Sequence, residues 1–241
     1  MQLSDFKVIT FDCYGTLIDW ETGIFSALQP LVARANRGKS RDLALESFAR
    51  HESAQEEETP AMPYSQLLVA VYKRLATEWS VTVSNQEANV FGASVPDWPE
   101  FADSVESLRY LKRHFKLVIL SNVDRISFRS SNVRLQVKFD AIYTAQDIES
   151  YKPNLRNFEY MLKRLKDDFG LETKDVLHTA QSMFHDHAPA NRLGLASAWI
   201  DRRHASEGWG ATMPPPGTPK IDFRFDSMAA FADAYRAERN R

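Results

Sequence analysis

Residues 6–19, FKVITFDCYGTLID, constrain the fold more than any other stretch of the chain. Val8, Ile9, Thr10 and Phe11 run without polar alternation into an acid, Asp12, followed by Gly15, Thr16 and Leu17. Such a run suits a strand buried on both faces, as in a parallel sheet, ending in a glycine turn that starts a helix. Asp12 then falls at the carboxyl end of a first strand. Open parallel sheets bind ligands along that edge, where backbone N–H groups of the following turn point at the ligand. An acid so placed can act as a nucleophile; it can also merely cap the next helix.

From residue 21 to 96 the pattern changes. The stretches 24–35, 42–51 and 64–79 place apolar residues at three- and four-residue spacing and read as amphipathic helices, punctuated by Glu56-Glu57-Glu58-Thr59-Pro60 and by Pro63. Strand patterns resume at 116–122, 139–144, 175–180 and 196–201, with helices expected at 104–114, 157–169 and 188–194. A Gly- and Pro-rich loop over 208–225 leads into a last short strand, and helix 227–241 closes the chain. Strands alternating with helices predict an α/β fold with a Rossmann-like parallel sheet core and an inserted α-helical cap. The expected division is a core of 1–20 and 97–241 and a cap of 21–96.

Composition excludes several roles. A net charge of -2 leaves no electrostatic footprint for nucleic acid or anionic membrane. No apolar run approaches the ~18 residues of a membrane span, and the N-terminus lacks signal-peptide features, so a cytoplasmic protein is expected. Cys13 is the single cysteine, which excludes an internal disulfide and a multi-cysteine metal site. No histidine shares its motif to activate it, so a buried thiol is favoured over a nucleophile.

Further polar residues sit where strands end. Ser121 and Asn122 close strand 116–122, where a hydroxyl and an amide can hold an anion or simply form a turn. Lys152 precedes Pro153, taken as the start of a helix. Asp186 follows strand 175–180 within His185-Asp186-His187, a triplet unsuited to a metal because adjacent side chains diverge.

The pattern Asp12, Thr16, Leu17 resembles the first motif of the haloacid dehalogenase superfamily, and its D-x-Y-G-T form is similar to that of the L-2-haloacid dehalogenases. The resemblance implies that Asp12 is a covalent nucleophile. Tyr14 stands where the superfamily's phosphatases carry an acid for a leaving alkoxide, and a halide needs no proton. The resemblance also implies that Thr16 belongs to the catalytic motif, that the backbone N–H groups of the turn from Cys13 through Tyr14 to Gly15, with Ser121 and Lys152, hold a substrate carboxylate, and that Asn122 receives halide. Lys152 would neutralise the nucleophile in place of a metal. Asp186 would place a water, helped by Gln181 or His185, and Arg50 would meet the leaving halide. Val123, Phe158 and Met183 depart from the usual pattern. The implied activity is hydrolytic dehalogenation of small 2-haloalkanoic acids through an aspartyl ester, without cofactor or metal. The expected partner is the small haloacid alone, with no nucleic acid or membrane, and a homodimer is one expected assembly. A phosphatase of the same superfamily and a silent relative that binds a small carboxylate remain alternatives.

Overall fold

The computed structural model describes residues 1–35 and 39–240. Its sheet has six parallel strands, β1 (Val8–Phe11), β2 (Lys116–Ser121), β3 (Ala141–Thr144), β4 (Val176–Ala180), β5 (Ala196–Ile200) and β6 (Phe223–Phe225), in the order β3-β2-β1-β4-β5-β6. β1 lies between β2 and β4, so the chain leaves the first strand in one direction and later returns on its other side. That reversal opens a crevice at the carboxyl ends of β1 and β4, the usual ligand site of doubly wound sheets. All four residues of β1 are buried, as expected for a strand covered on both faces.

Among the described residues the helical block that follows β1 holds α1 (Trp20–Val32), α2 (Arg41–Glu58), α3 (Tyr64–Glu78) and α4 (Asn85–Gly92), and one further helix precedes β2. They follow the apolar periodicity, with one consequential difference. α2 does not stop at the Glu56-Glu57-Glu58 run but extends through it. Glu52 and Glu56 continue the buried face that carries Leu45, Phe48 and Ala49, because residues four apart stack on one side of a helix. Ser40 caps this helix by accepting from the Leu43 N–H.

The remaining helices are α5 (Ser104–Leu111), α6 (Arg125–Leu135), α7 (Ala145–Ile148), α8 (Leu155–Phe169), α9 (Ala188–Arg192) and α10 (Met228–Arg239). α8 begins at Leu155, capped by Asn154, rather than at Pro153. It lays Phe158, Met161 and Leu165 on Val8, Val118 and Val176, one of two apolar clusters that sandwich the sheet. Burying each such side chain contributes about 1.5–3 kcal/mol. The expectation of helix at residue 241 lies outside the described residues. Among the described residues no helix is long and apolar enough to cross a membrane.

Candidate active site

Asp12 directly follows β1, and its N–H donates to the carbonyl of Thr179 in β4. The chain then turns through Gly15, at φ +93°, where a Cβ would come within 3.0 Å of Trp20 Nε1 and 3.1 Å of Gln181 Oε1. Only glycine suits that left-handed, crowded turn. The turn brings Thr16 back so that its Oγ1 donates to Asp12 Oδ2 at 2.8 Å while accepting the Gln181 N–H at 2.9 Å. Thr16 thereby ties the β1 turn to the end of β4.

Lys152 reaches the same place from the loop before α8. Its Nζ donates to Asp12 Oδ1 at 2.9 Å, to Asp186 Oδ1 at 2.7 Å and to the Leu120 carbonyl at 3.1 Å. All three ammonium protons are therefore committed. The side chain is 1% exposed, and burial opposes its charge, yet the two aspartates hold the ammonium above the usual lysine range. Asp186 lies on a π-helical turn over Met183–His187, a form often found at functional sites. Burial would raise its carboxyl, but Lys152 and His178 hold it well below the usual carboxylate range. Burial carries Asp12 upward, against the pull of Lys152 and Thr16.

His178 was not singled out by the motifs. It sits inside β4, with Nε2 2.9 Å from Asp186 Oδ1 and Nδ1 2.9 Å from Thr10 Oγ1. Asp186 accepts from Lys152 and cannot donate when ionised, so the imidazole carries its proton on Nε2 and accepts from the Thr10 hydroxyl. Phe158 packs edge-on against this ring at 5.1 Å. The available sequence signal was a lone polar ring in an otherwise apolar strand.

A cavity of about 380 Å³, counting its open mouth, lies over Asp12, Lys152 and Asp186. Its other walls come from Tyr14, Trp20, Asn122, Val123, Ser182 and His185 and from the helical block, through Glu52, Glu56 and Tyr64. The two glutamates also escaped the motif search, although the spacing 45, 48, 52, 56 marks them as one face of α2. Glu52 Oε1 accepts from the Tyr64 hydroxyl at 2.6 Å, and Glu56 Oε1 accepts from Asn122 Nδ2 at 3.0 Å. Burial pushes Glu52 up to about 8. Burial also raises Glu56 well above its ordinary value, and the neighbouring Glu52 adds to the shift.

Several expected site residues stand elsewhere or are already engaged. Arg50 does not reach over Asp12: it points to the surface, where Nη2 meets Glu78 at 3.1 Å and Ser47 at 3.1 Å. The helical block thus brings carboxyls, not a guanidinium, to the cavity. Ser121 does not line the cavity, and its buried hydroxyl has no partner among the described residues. Asn122 does line it, but it is a clamp: Nδ2 donates to Glu56 and to the Lys152 carbonyl, and Oδ1 accepts the Lys152 N–H at 2.7 Å. Gln181 lines a neighbouring cavity with Arg202 and Arg203 rather than the one over Asp12. The Tyr14 hydroxyl is spent on Ser131 Oγ at 2.8 Å. Burial pushes the Cys13 thiol well above its ordinary value, which disfavours the thiolate. The Gly15 N–H is taken by the Ile18 carbonyl, whereas those of Cys13 and Tyr14 have no hydrogen-bond partner among the described residues. His185 is buried on the cavity wall. Burial lowers its imidazole to about 4, and its Nε2 has no hydrogen-bond partner among the described residues.

The donor set does not suit a divalent ion. The Lys152 ammonium lies between the two aspartates, Gln181 stands directly after β4 with an amide rather than a carboxylate, and hard cations need several oxygen ligands. Among the described residues no group of three or more His, Cys, Asp and Glu side chains could hold a metal ion.

A family model described as haloacid dehalogenase-like hydrolase matches residues 6–179. The chain belongs to that family. As a haloacid dehalogenase-like hydrolase it shares its fold with a defluorinating L-2-haloacid dehalogenase, at TM-score 0.75 and 19% identity, with 98% of each chain covered. The L-2-haloacid dehalogenase from Xanthobacter autotrophicus with chloropropionic acid covalently bound gives TM-score 0.75 at 14% identity, covering 96% of this chain and 98% of that one. A putative HAD-hydrolase from Bacillus subtilis, YfnB, bound to magnesium, gives TM-score 0.74 at 13% identity, covering 96% and 99%. No match is found among the curated proteins. Similarity at these identities establishes the α/β fold of the family.

Proposed function

We propose that this hydrolase cleaves carbon–halogen bonds in small 2-haloalkanoic acids through an ester on Asp12, with no metal. The observation that carries the reading is the contact of one buried ammonium, Lys152, with both Asp12 and Asp186 beneath a cavity. Such a contact balances the charge of a carboxylate nucleophile without a divalent ion. The helical block of residues 21–96 acts as a cap that keeps bulk water from the ester.

In the first step an Asp12 oxygen attacks C2 of the substrate. A C–O bond forms while the C–halogen bond breaks, and its electron pair leaves with the halide. The unpaired N–H groups of Cys13 and Tyr14 hold the substrate carboxylate, since Lys152 has no proton left to offer. In the second step water attacks the Asp12 carbonyl carbon. Asp186 Oδ2, buried and without a partner among the described residues, holds that water and takes its proton. The tetrahedral intermediate collapses, the C–O bond of the ester breaks, and the 2-hydroxy acid leaves with the proton. Thr16 and His178 position the two carboxylates. The cap carboxyls bear on which haloacid enters, as argued below.

The test is halide release from L- and D-2-chloropropionate and fluoroacetate by the wild-type chain and Asp12→Asn. Single turnover in water enriched in heavy oxygen should place the label in Asp12 and leave the first product unlabelled. Immediate label in the product excludes the ester, and no halide from any haloacid removes the function.

A further inference from the structure

The α2 side of the cavity offers acceptors and little else. Glu52 and Glu56 lie one turn apart on the buried face of α2, 3% and 6% exposed, and both line the cavity. Glu52 Oε1 takes the Tyr64 hydroxyl, and Glu56 Oε1 takes Asn122. Their second oxygens have no hydrogen-bond donor among the described residues, and neither carboxyl has a Lys or Arg within ion-pair distance there. His185 adds a third acceptor from the core side. Its Nδ1 lies 3.3 Å from Ser182 Oγ and 3.5 Å from Thr212 Oγ1, while Nε2, buried and unpartnered among the described residues, lies 3.7 Å from Glu56 Oε2. Trp20 and Tyr64 bring aromatic rings to the same cavity.

Two buried carboxyls without a cation are costly to keep ionised, and they retain protons until a ligand supplies positive charge. Aromatic faces beside carboxylates are a common way to hold an ammonium. The core side is opposite in character, with the N–H of Tyr14, a lining residue, and that of the adjacent Cys13 unpartnered among the described residues and suited to an anion. A substrate carrying only a carboxylate satisfies the core side and leaves the acceptors of α2 unanswered.

We propose that Glu52 and Glu56, with His185 Nε2, form a subsite for a protonated amine, so that the substrate is a small zwitterionic haloacid carrying an ammonium group as well as a carboxylate. This rests on the Asp12 ester reading and adds the substrate class. The carboxylate faces the β1 turn and the ammonium faces α2, with C2 between them over Asp12. No hydroxyl or carboxylate at that position meets the acceptors as well, because an ammonium has three donors and the charge that the carboxyls lack.

The experiment compares halide release from 2-chloropropionate and from 3-amino-2-chloropropionate, with the amine protonated and the enzyme-free rate subtracted. It uses the full chain as wild type, Glu52→Gln, Glu56→Gln and Asp12→Asn. Glutamine keeps the side-chain volume and the oxygen that Tyr64 or Asn122 donates to, and a thermal melt of each variant confirms folding. Wild type should favour the amino substrate in kcat/KM by about tenfold or more, the scale of one desolvated charged hydrogen bond. Each glutamine variant should bring that ratio close to one. A wild-type ratio at or below one, or a preference that survives both substitutions, overturns the subsite while leaving the Asp12 ester intact. Halide from neither substrate overturns both readings together. Halide release that persists in Asp12→Asn sinks the ester itself, and the subsite argued upon it.

Discussion

On the sheet side of the cavity each buried charge has a partner: Lys152 bridges Asp12 and Asp186, His178 supports Asp186, and Thr16 supports Asp12. On the α2 side Glu52 and Glu56 are as deeply buried but take hydrogen bonds only from a hydroxyl and an amide among the described residues, with His185 Nε2 3.7 Å from Glu56. Pairing opposes burial at Asp12 and overcomes it at Asp186. Burial raises all four carboxyls, and only Asp186, which takes both Lys152 and His178, ends below its ordinary range. The paired wall keeps fixed charge for chemistry on Asp12, whereas the unpaired wall holds protons that a ligand can displace.

The sharpest way to break this contrast is Asp12→Asn, which should lower halide release by about a thousandfold or more, since the amide is a poor nucleophile. Loss of any smaller order would mean that another group carries the reaction. Lys152→Met should come next. It leaves Asp12 and Asp186 facing each other without a counter-charge and should cost about 3–5 kcal/mol of stability, read as a fall in melting temperature. An unchanged melt would mean that the ammonium is not the electrostatic centre of the site.

Glu52 on the unpaired wall predicts a pH effect of opposite sign to that of Asp186 on the paired one. Asp186, held low in the fold, adds stability above the ordinary carboxylate range that is lost as pH falls. Glu52, raised from 4.5 to about 8 in the fold, keeps its proton while the unfolded chain releases it, so stability declines as pH rises from 4.5 to 8 and levels off above. Glu52→Gln should flatten that decline, by an amount on the order of a few kcal/mol or less, in melts taken across this window. A wild-type melting temperature that rises steadily from pH 5 to 8, equally in the variant, would show that Glu52 is not held protonated. The smallest effect is expected of Arg50→Ala. Its exposed pair with Glu78 contributes about 0–1 kcal/mol, and kcat/KM should change by less than about twofold. A large loss would return Arg50 to the cavity.

Much of the sheet side was legible in the chain itself. The run of residues 8–11 into Asp12, the glycine turn and Thr16 are local signals, because burial on both faces, left-handed backbone and an i to i+4 return each act over a few residues. Lys152 and Asp186 were recognisable through their motifs, although the motifs said nothing of how the three meet. The α2 side was harder to read for a physical reason. Three adjacent acids ahead of Thr59-Pro60 look like the end of a helix, since charged runs prefer water, and only packing against Tyr64 and Asn122 carries α2 onward and turns the first of them, Glu56, inward beside Glu52. Arg50 failed in the converse way, as a motif-like residue that the helix turns outward.

By itself the sequence determined the parallel α/β core, the place of Asp12 at a strand's end and the helical insertion after it, because periodicity and turn chemistry are properties of short segments. Which charges would meet was decided only by the tertiary structure. The strand order brings β1 beside β4, the loop before α8 delivers Lys152 between two aspartates, and the rotation of α2 exchanges an expected guanidinium for two carboxyls. Contacts such as those of Lys152 with Asp186, 34 positions away, and with Asp12, 140 positions away, depend on how whole elements pack, and no local pattern records that.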